Sequence, residues 1–409
     1  MARIDGKRLL ADLRALAQFG KAGTGVNRVS FSSADLEARA WLRSRMQAAG
    51  LDAAIDAVGN VRGVTAQAPR AVVIGSHTDT VPMGGWLDGA MGVLYGLEIA
   101  RARIASGRHT ALGVDVVSFQ DEEGTYLPCL GSRSFCGDLP PAELERPTSQ
   151  SGEPLPQALA RAGYGGAPWR LDRQRHIAYL EAHIEQGPRL EAAGRRIGVV
   201  TGIVGIRRFR VSARGQADHA GTTPMSMRQD AARPLFAFAA RVHAELPPVA
   251  GPDTVWNIGV VSVRPGAANV VPSEAELVVE FRDTSSELLD RIEARLLAWV
   301  RELDGEGRVR VEAQPIARIA PTLMAEPLEA LIEASAGEHG QAALRMPSGA
   351  GHDAMVLGRY VPSAMLFIPS IGGRSHDIAE DTAEDDIVLG CEVLAGVVER
   401  LEDGARTAP

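Results

Sequence analysis

Apolar and polar positions follow two different rhythms along the chain. "RAVVIGSHTDT" (residues 70–80) and "LGVDVVSFQDEEG" (112–124) are continuous apolar runs that finish on polar residues. A strand covered on both faces reads this way, and the two runs predict neighbouring buried strands. Between them "DGAMGVLYGLEIARARIASG" predicts a helix with small residues on one side. The opening "MARIDGKRLLADLRALAQFG" lacks an apolar core segment and predicts an amphipathic helix, not a signal peptide. Strand and helix alternate in this style up to about residue 205, which predicts a largely parallel α/β sheet.

From about 206 to 314 the rhythm changes. "IRRFRVSARGQ", "TVWNIGVVSVRP", "SEAELVVEFRDT" and "RVRVEAQPIAR" predict strands. "MSMRQDAARPLFAFAARVHAEL" predicts a helix disturbed at Pro234, and "SSELLDRIEARLLAWVRELDG" a second one with serine as N-cap. The order βαββαβ describes a small ferredoxin-like sandwich. After 315 the first style returns, with helical "PLEALIEASAGEHG" and strand "SAMLFIP". The pattern therefore predicts one α/β domain from 1–205 and 315–409, with a second domain, 206–314, inserted into it. A length of 409 residues suits two domains better than one core.

Composition narrows the function classes. A net charge of −8 argues against nucleic acid or an anionic membrane as the main partner. No run approaches the ~18 apolar residues that a membrane span needs. Three cysteines, Cys129, Cys136 and Cys391, make no disulfide framework and are assigned no function. A reducing cytoplasm is the expected location.

Metal-competent residues collect at predicted strand ends and loops: His77 in "SHTDT", Asp88 in "GGWLDGAMG", Glu122 and Glu123 in "QDEEG", His183 in "EAHIEQG" and His376 in "GGRSHDIAE". In open α/β sheets ligands gather at the carboxyl ends of strands. Imidazoles mixed with carboxylates suit Zn, Mn, Co or Ni. A carboxylate at a glycine turn, as Asp88 before Gly89, can bridge two cations. Adjacent residues in extended chain point in different directions, so one of Glu122 and Glu123 can bind metal while the other reaches a water. Taken singly, each of these residues has an ordinary reading as a turn, a surface acid or a hydrogen-bonded histidine. Their conjunction carries the signal.

"GSHTDTVPMGGWLDGAMGVLYGLE", "DEEG…LGSRSFCG", "HIEQGPRLE", "ADHAGTTPM", "ANVVP", "FRD", "SGAGHDAM" and "GGRSHDIAE" occur in order over roughly residues 70–380. Together they resemble the M20 metallopeptidase superfamily, and within it the amidase/hydantoinase/carbamoylase branch of N-carbamoyl-L-amino-acid hydrolases and allantoate amidohydrolases. The resemblance implies a phosphorylase/hydrolase-like mixed-sheet catalytic domain whose inserted ferredoxin-like domain is a lid and dimerisation unit. It also implies two divalent metals: His77 and His183 on one, Glu123 and His376 on the other, Asp88 bridging. Glu122 would be the general acid/base, and Asp79 would fix the His77 tautomer.

The same resemblance makes His219 a residue that reaches the partner subunit's site in a homodimer and polarises the scissile carbonyl. It places Gln186, Asn269, Arg282 and Gly351 against substrate, with Asn269 and Arg282 on its carboxylate. The chain departs from the family pattern at Thr125–Pro128, Gly266 and Glu280. These departures leave the metal set intact and bear on substrate identity. The expected activity is hydrolysis of the C–N bond of an N-carbamoyl amino acid or an allantoate-like ureido acid. An aminoacylase or dipeptidase, or a non-catalytic small-molecule binder, would share the scaffold.

Overall fold

The structure, a computed structural model, describes residues 3–108, 112–305 and 307–407. The chain divides into two compact units, Met1–Thr201 with Leu323–Pro409, and Gly202–Thr322.

The first unit is built on a nine-stranded sheet. Four parallel strands form its middle, in the order Ser363–Ile368, His176–Ile184, Ala71–His77 and Gly113–Phe119. Antiparallel strands flank them: Gly198–Ile203 pairs with Ser363–Ile368, while Val61–Val64 and then Asp52–Ile55 extend the other side. The sheet is therefore mixed, and the expectation of a largely parallel sheet holds only for its centre. Short flanking strands such as Asp52–Ile55 carry too few residues to announce a direction in the sequence.

Every residue of Ala71–His77 and Gly113–Phe119 is buried, as continuous apolar runs require when both faces are covered. The helix Ala90–Ala105 packs on these strands. The helices Gly6–Leu16, Glu326–Glu338 and Glu384–Thr407 add Leu9, Leu13, Ile332, Val393 and Val397 to the same core. Among the described residues no helix is long and apolar enough to cross a membrane.

The second unit runs strand Gly205–Arg214, helix Ala232–Glu245, strands Val255–Arg264 and Glu274–Asp283, helix Ser286–Gly305, strand Arg310–Ile319. Its four strands form an antiparallel sheet with Glu274–Asp283 and Gly205–Arg214 in the middle. Phe209, Val211, Leu277, Val279 and Phe281 alternate inward and meet Leu235, Phe238, Ile292, Leu296 and Trp299 of the two helices. The unit continues beyond residue 314 because the last strand stays paired as far as Ile319 opposite Ile206.

The helix expected from Met225 begins only at Ala232. Met225–Met227 is a single 3-10 turn, and Arg228 is extended. Asp230 Oδ1 accepts the Ala232 N–H at 2.9 Å. Pro234 sits in the first helical turn, where a missing N–H loses no helix hydrogen bond, so it disturbs nothing.

Candidate active site

The four parallel strands end on the same side of the sheet, and each delivers one part of the cluster. Ala71–His77 ends on His77, and His183 is the penultimate residue of His176–Ile184. Glu122 and Glu123 follow Gly113–Phe119, and His376 lies in the loop after Ser363–Ile368. Asp88 comes from the turn that leads into the helix Ala90–Ala105. Gly89 takes φ +63°, and a Cβ there would lie 2.4 Å from His77 Nε2, so this turn accepts only glycine.

The two oxygens of Asp88 face different histidines. Oδ1 lies 2.9 Å from His183 Nε2 and 3.6 Å from His77 Nε2, whereas Oδ2 lies 3.3 Å from His376 Nε2. Glu123 Oε1 is 3.6 Å from His376 Nε2, and Glu122 Oε2 is 3.6 Å from His77 Nε2. Ligand atoms of His77, Asp88 and His183 all lie within 4.8 Å of one another, as do those of Asp88, Glu123 and His376. His77, Glu122 and Glu123 form a third such set, so proximity alone leaves Glu122 open to ligation.

Two of the histidines have defined tautomers. His77 Nδ1 meets the Asp79 carbonyl at 2.9 Å, and His183 Nδ1 meets the Ile184 carbonyl at 2.8 Å. A carbonyl only accepts, so both Nδ1 atoms carry protons and Nε2 is the atom each ring turns to the cluster, where the Gly89 N–H also points at His183 Nε2 at 3.1 Å. Asp79 thus orients His77 through its main chain. Its carboxylate lies 4.0 Å from that ring and serves elsewhere, with Oδ2 accepting the Glu123 N–H at 3.3 Å and Oδ1 3.5 Å from Arg39.

His77, Asp88 and His183 are buried, while His376 is half exposed at the rim. Burial alone would lower the His183 pKa, but Asp88 raises it to about 9. The hydrogen bond to Asp88 brings His376 to about 9 as well. Burial opposes His77 too, and Asp79 and Asp88 outweigh it. Asp88 is held well below the usual range because the His183 charge overcomes its burial penalty. Burial, then Asp88, lifts Glu123 to about 7, and burial with Glu123 and Asp353 pushes Glu122 well above its ordinary value.

This donor set fits divalent cations. Glu123 Oε1 and Gln186 Oε1 are buried without a hydrogen-bond partner, and an orphaned carboxylate oxygen beside imidazole nitrogens is the mixed N/O environment such ions take. Backbone strain marks the same place. Asp121, Gln186 and His376 have φ of +58°, +59° and +54°, which side chains other than glycine rarely adopt.

Gln186 joins the cluster directly, its Nε2 lying 3.0 Å from Asp88 Oδ2 and 3.2 Å from Ser375 Oγ. Gly351 is exposed in the loop after the strand Leu344–Ser348. His352, buried, stacks edge-on to His183 with ring centres 4.6 Å apart. Ser375 and Glu380 hold this site together and received no role from the sequence. Both lie inside "GGRSHDIAE", but neither residue type announces a contact made across 292 positions.

His219, Asn269 and Arg282 belong to the second unit. His219 bridges to Val270, and the Asn269 carbonyl accepts the Ala220 N–H at 2.9 Å, so these two segments are adjacent. His219 is exposed, and its Nδ1 accepts the Gly221 N–H at 3.1 Å, which leaves Nε2–H as the donor of the neutral ring. Arg282 Nε donates to Glu280 Oε1 at 2.7 Å, and Glu280 Oε2 receives Arg208 Nε at 2.6 Å. Residues two apart on a strand share a face, which is why Glu280 reaches Arg282.

Residues 73–400 match the pattern of peptidase family M20/M25/M40. The chain is 36% identical to an N-carbamoyl-L-amino acid amidohydrolase of Geobacillus stearothermophilus, over 98% of this chain and 100% of that one. It is 33% identical to an allantoate amidohydrolase of Bacillus subtilis, over 94% and 95%. The solved structure of an amidase of the hydantoinase/carbamoylase family from Burkholderia phymatum superposes with a TM-score of 0.92 at 47% identity, covering 99% of both chains. With its strand-end cluster and this full-length similarity, the chain belongs to peptidase family M20/M25/M40.

Proposed function

We propose that this protein is a two-metal amidohydrolase that cleaves the C–N bond of an N-carbamoyl amino acid or a related ureido acid such as allantoate. The observation that carries the metal centre is the division of Asp88, with one oxygen towards His77 and His183 and the other towards His376. In this reading His77 and His183 would hold one cation and Glu123 and His376 the other, with Asp88 available to both. The relatives named as N-carbamoyl-L-amino acid and allantoate amidohydrolases support the substrate class.

Divalent cations held by these residues would supply polarisation of a substrate carbonyl and a lowered pKa for water. Glu122, half-buried and raised in pKa, accepts the proton of the attacking water and returns it to the departing nitrogen. Water adds to the carbamoyl carbon and the C–N bond to the amino acid breaks. The amino acid leaves together with carbamate, which decomposes to ammonia and carbon dioxide. Gln186, with Oε1 unsatisfied, and Gly351 contact the ureido acid. Arg282 and Asn269 bind its carboxylate, a task suited to the fork of a guanidinium.

The second unit, with its βαββαβ order, is read as a ferredoxin-like lid and dimerisation domain, and His219 as a donor to the partner subunit's scissile carbonyl. Three free cysteines accord with a reducing, cytoplasmic setting. Ammonia release from a panel of N-carbamoyl amino acids, allantoate and N-acetyl amino acids by the metal-loaded enzyme tests the substrate class. Turnover confined to N-acetyl or peptide amides would replace this reading with an aminoacylase or dipeptidase.

Metal affinity should fall as pH falls. With pKa values of about 9, His183 and His376 hold protons on the nitrogens a cation needs, so below that pH each metal must displace them. Adding Zn²⁺ or Mn²⁺ to metal-free protein at pH 7–8 should therefore release protons into a weakly buffered indicator solution. Binding without proton release would contradict the ligand set.

The trans role of His219 predicts complementation. Two-fold symmetry gives two equivalent composite sites per dimer. When inactive Glu122→Gln subunits exchange with inactive His219→Ala subunits, each heterodimer holds one site with both lesions and one with neither. Activity should return towards half the wild-type value per heterodimer. Proven exchange with no recovery would place His219 in its own subunit's site.

A further inference from the structure

Glu380 is 2% exposed and makes no ion pair among the described residues. A buried carboxylate without a cationic partner is costly unless its oxygens are well satisfied, so its hydrogen bonds show what it is for. Oε1 accepts the N–H groups of Leu87 at 3.2 Å and Asp88 at 3.0 Å. Oε2 accepts the Ser375 hydroxyl at 2.9 Å. Glu380 lies in the same loop as His376, so its side chain fastens that loop to the turn that presents Asp88, and the bond from Ser375 closes the loop on itself next to His376.

The grip extends into the cluster. Ser375 Oγ has one proton, and its 2.9 Å contact with Glu380 is shorter than its 3.3 Å contact with Asp88 Oδ2. Gln186 Nε2 bridges Asp88 Oδ2 at 3.0 Å and Ser375 Oγ at 3.2 Å. The Glu380 carboxylate also lies flat against Gly85, where an added Cβ would come within 1.9 Å of Oε1. Its position is determined on both sides.

We infer that Glu380 is a positioning residue that sets the spacing between Asp88 and His376, and with it the geometry of the half-site formed by Asp88, Glu123 and His376. Aspartate, one methylene shorter, cannot reach the Asp88 turn and Ser375 together. Glutamine can: its amide oxygen takes the two N–H groups, and its NH₂ donates to Ser375, which then turns its proton to Asp88. The inference concerns shape, and it rests on the two-metal reading.

The test titrates metal-free protein with Co²⁺ and follows the visible d–d bands and the Co²⁺ bound per subunit after dialysis, with no substrate present. Glu380→Asp and Ser375→Ala should keep the first Co²⁺, bind the second about 10–100-fold more weakly, and alter its band, as supporting residues around metal ligands typically do. Glu380→Gln should restore wild-type affinity and spectrum. Ser375→Ala removes the bond to Oε2 together with the hydroxyl's contacts to Asp88 and Gln186 and leaves the Leu87 and Asp88 N–H bonds to Oε1, so it carries the test even where Glu380→Asp folds poorly. Wild-type binding of both ions by Ser375→Ala and by folded Glu380→Asp overturns the inference, as does a Glu380→Gln protein as impaired as Glu380→Asp. If wild-type protein itself binds one Co²⁺, the two-metal reading fails instead.

Discussion

Removing divalent cations is expected to abolish turnover, and Mn²⁺, Co²⁺, Ni²⁺ or Zn²⁺ is expected to restore it. Imidazoles of His77, His183 and His376 lie 2.9–3.6 Å from the two oxygens of Asp88, a donor set that would hold cations able to polarise a substrate carbonyl. His77 and His183 have their Nδ1 protons tied to carbonyls, so their Nε2 atoms serve as ligands better than as proton carriers. The mixed N/O donor set does not discriminate sharply among these ions, which is why several should reactivate. Chelation followed by elemental analysis and back-titration measures the effect. Full turnover by protein shown to be metal-free would eliminate the two-metal reading.

The second large effect separates a proton carrier from a ligand. Glu122→Gln should retain both metals and lose about 10²–10⁴-fold in turnover, because the amide preserves shape but cannot carry the proton. That loss corresponds to about 3–5 kcal/mol in the activation barrier. Asp88→Ala should instead lose metal, since in the proposed centre one carboxylate would serve both half-sites. Metal content and kcat measured on both variants decide the matter. Metal loss in Glu122→Gln with retention in Asp88→Ala would exchange the two roles, an outcome the proximity of Glu122 to His77 makes worth checking.

Much of this site was legible before any coordinates. His77, Glu122 and Glu123 stand at the ends of apolar runs, and ligands gather at the carboxyl ends of such strands, whereas the strand that carries His183 holds the buried Glu181 and no continuous apolar run announced it. Asp88 before Gly89 was visible as a turn, and the turn does require glycine. The role of Asp79 was not legible. Its place two residues after His77 suggested a carboxylate–imidazole pair, but the chain turns after the strand and presents the carbonyl instead. The carboxylate is then claimed by the Glu123 N–H and Arg39, 44 and 40 residues away in sequence. The helix starts at Ala232 for a local reason, since Asp230 accepts the Ala232 N–H where apolar spacing alone suggests a continuous helix.

By itself the sequence determined three of the four buried parallel strands, Ala71–His77, Gly113–Phe119 and Ser363–Ile368, and the ligand-competent residue types. Those properties are written in short windows, through burial pattern and turn chemistry. Only the tertiary structure decided which oxygen of Asp88 faces which imidazole, that Glu280 engages Arg282, and that Glu380 ties two loops together. Such facts depend on angstrom-scale distances between segments, some nearly 300 positions apart, and on competition among donors for a few buried oxygens. A carboxylate in a sequence has many possible partners. Once the sheet has assembled, packing leaves it only those within about 3 Å.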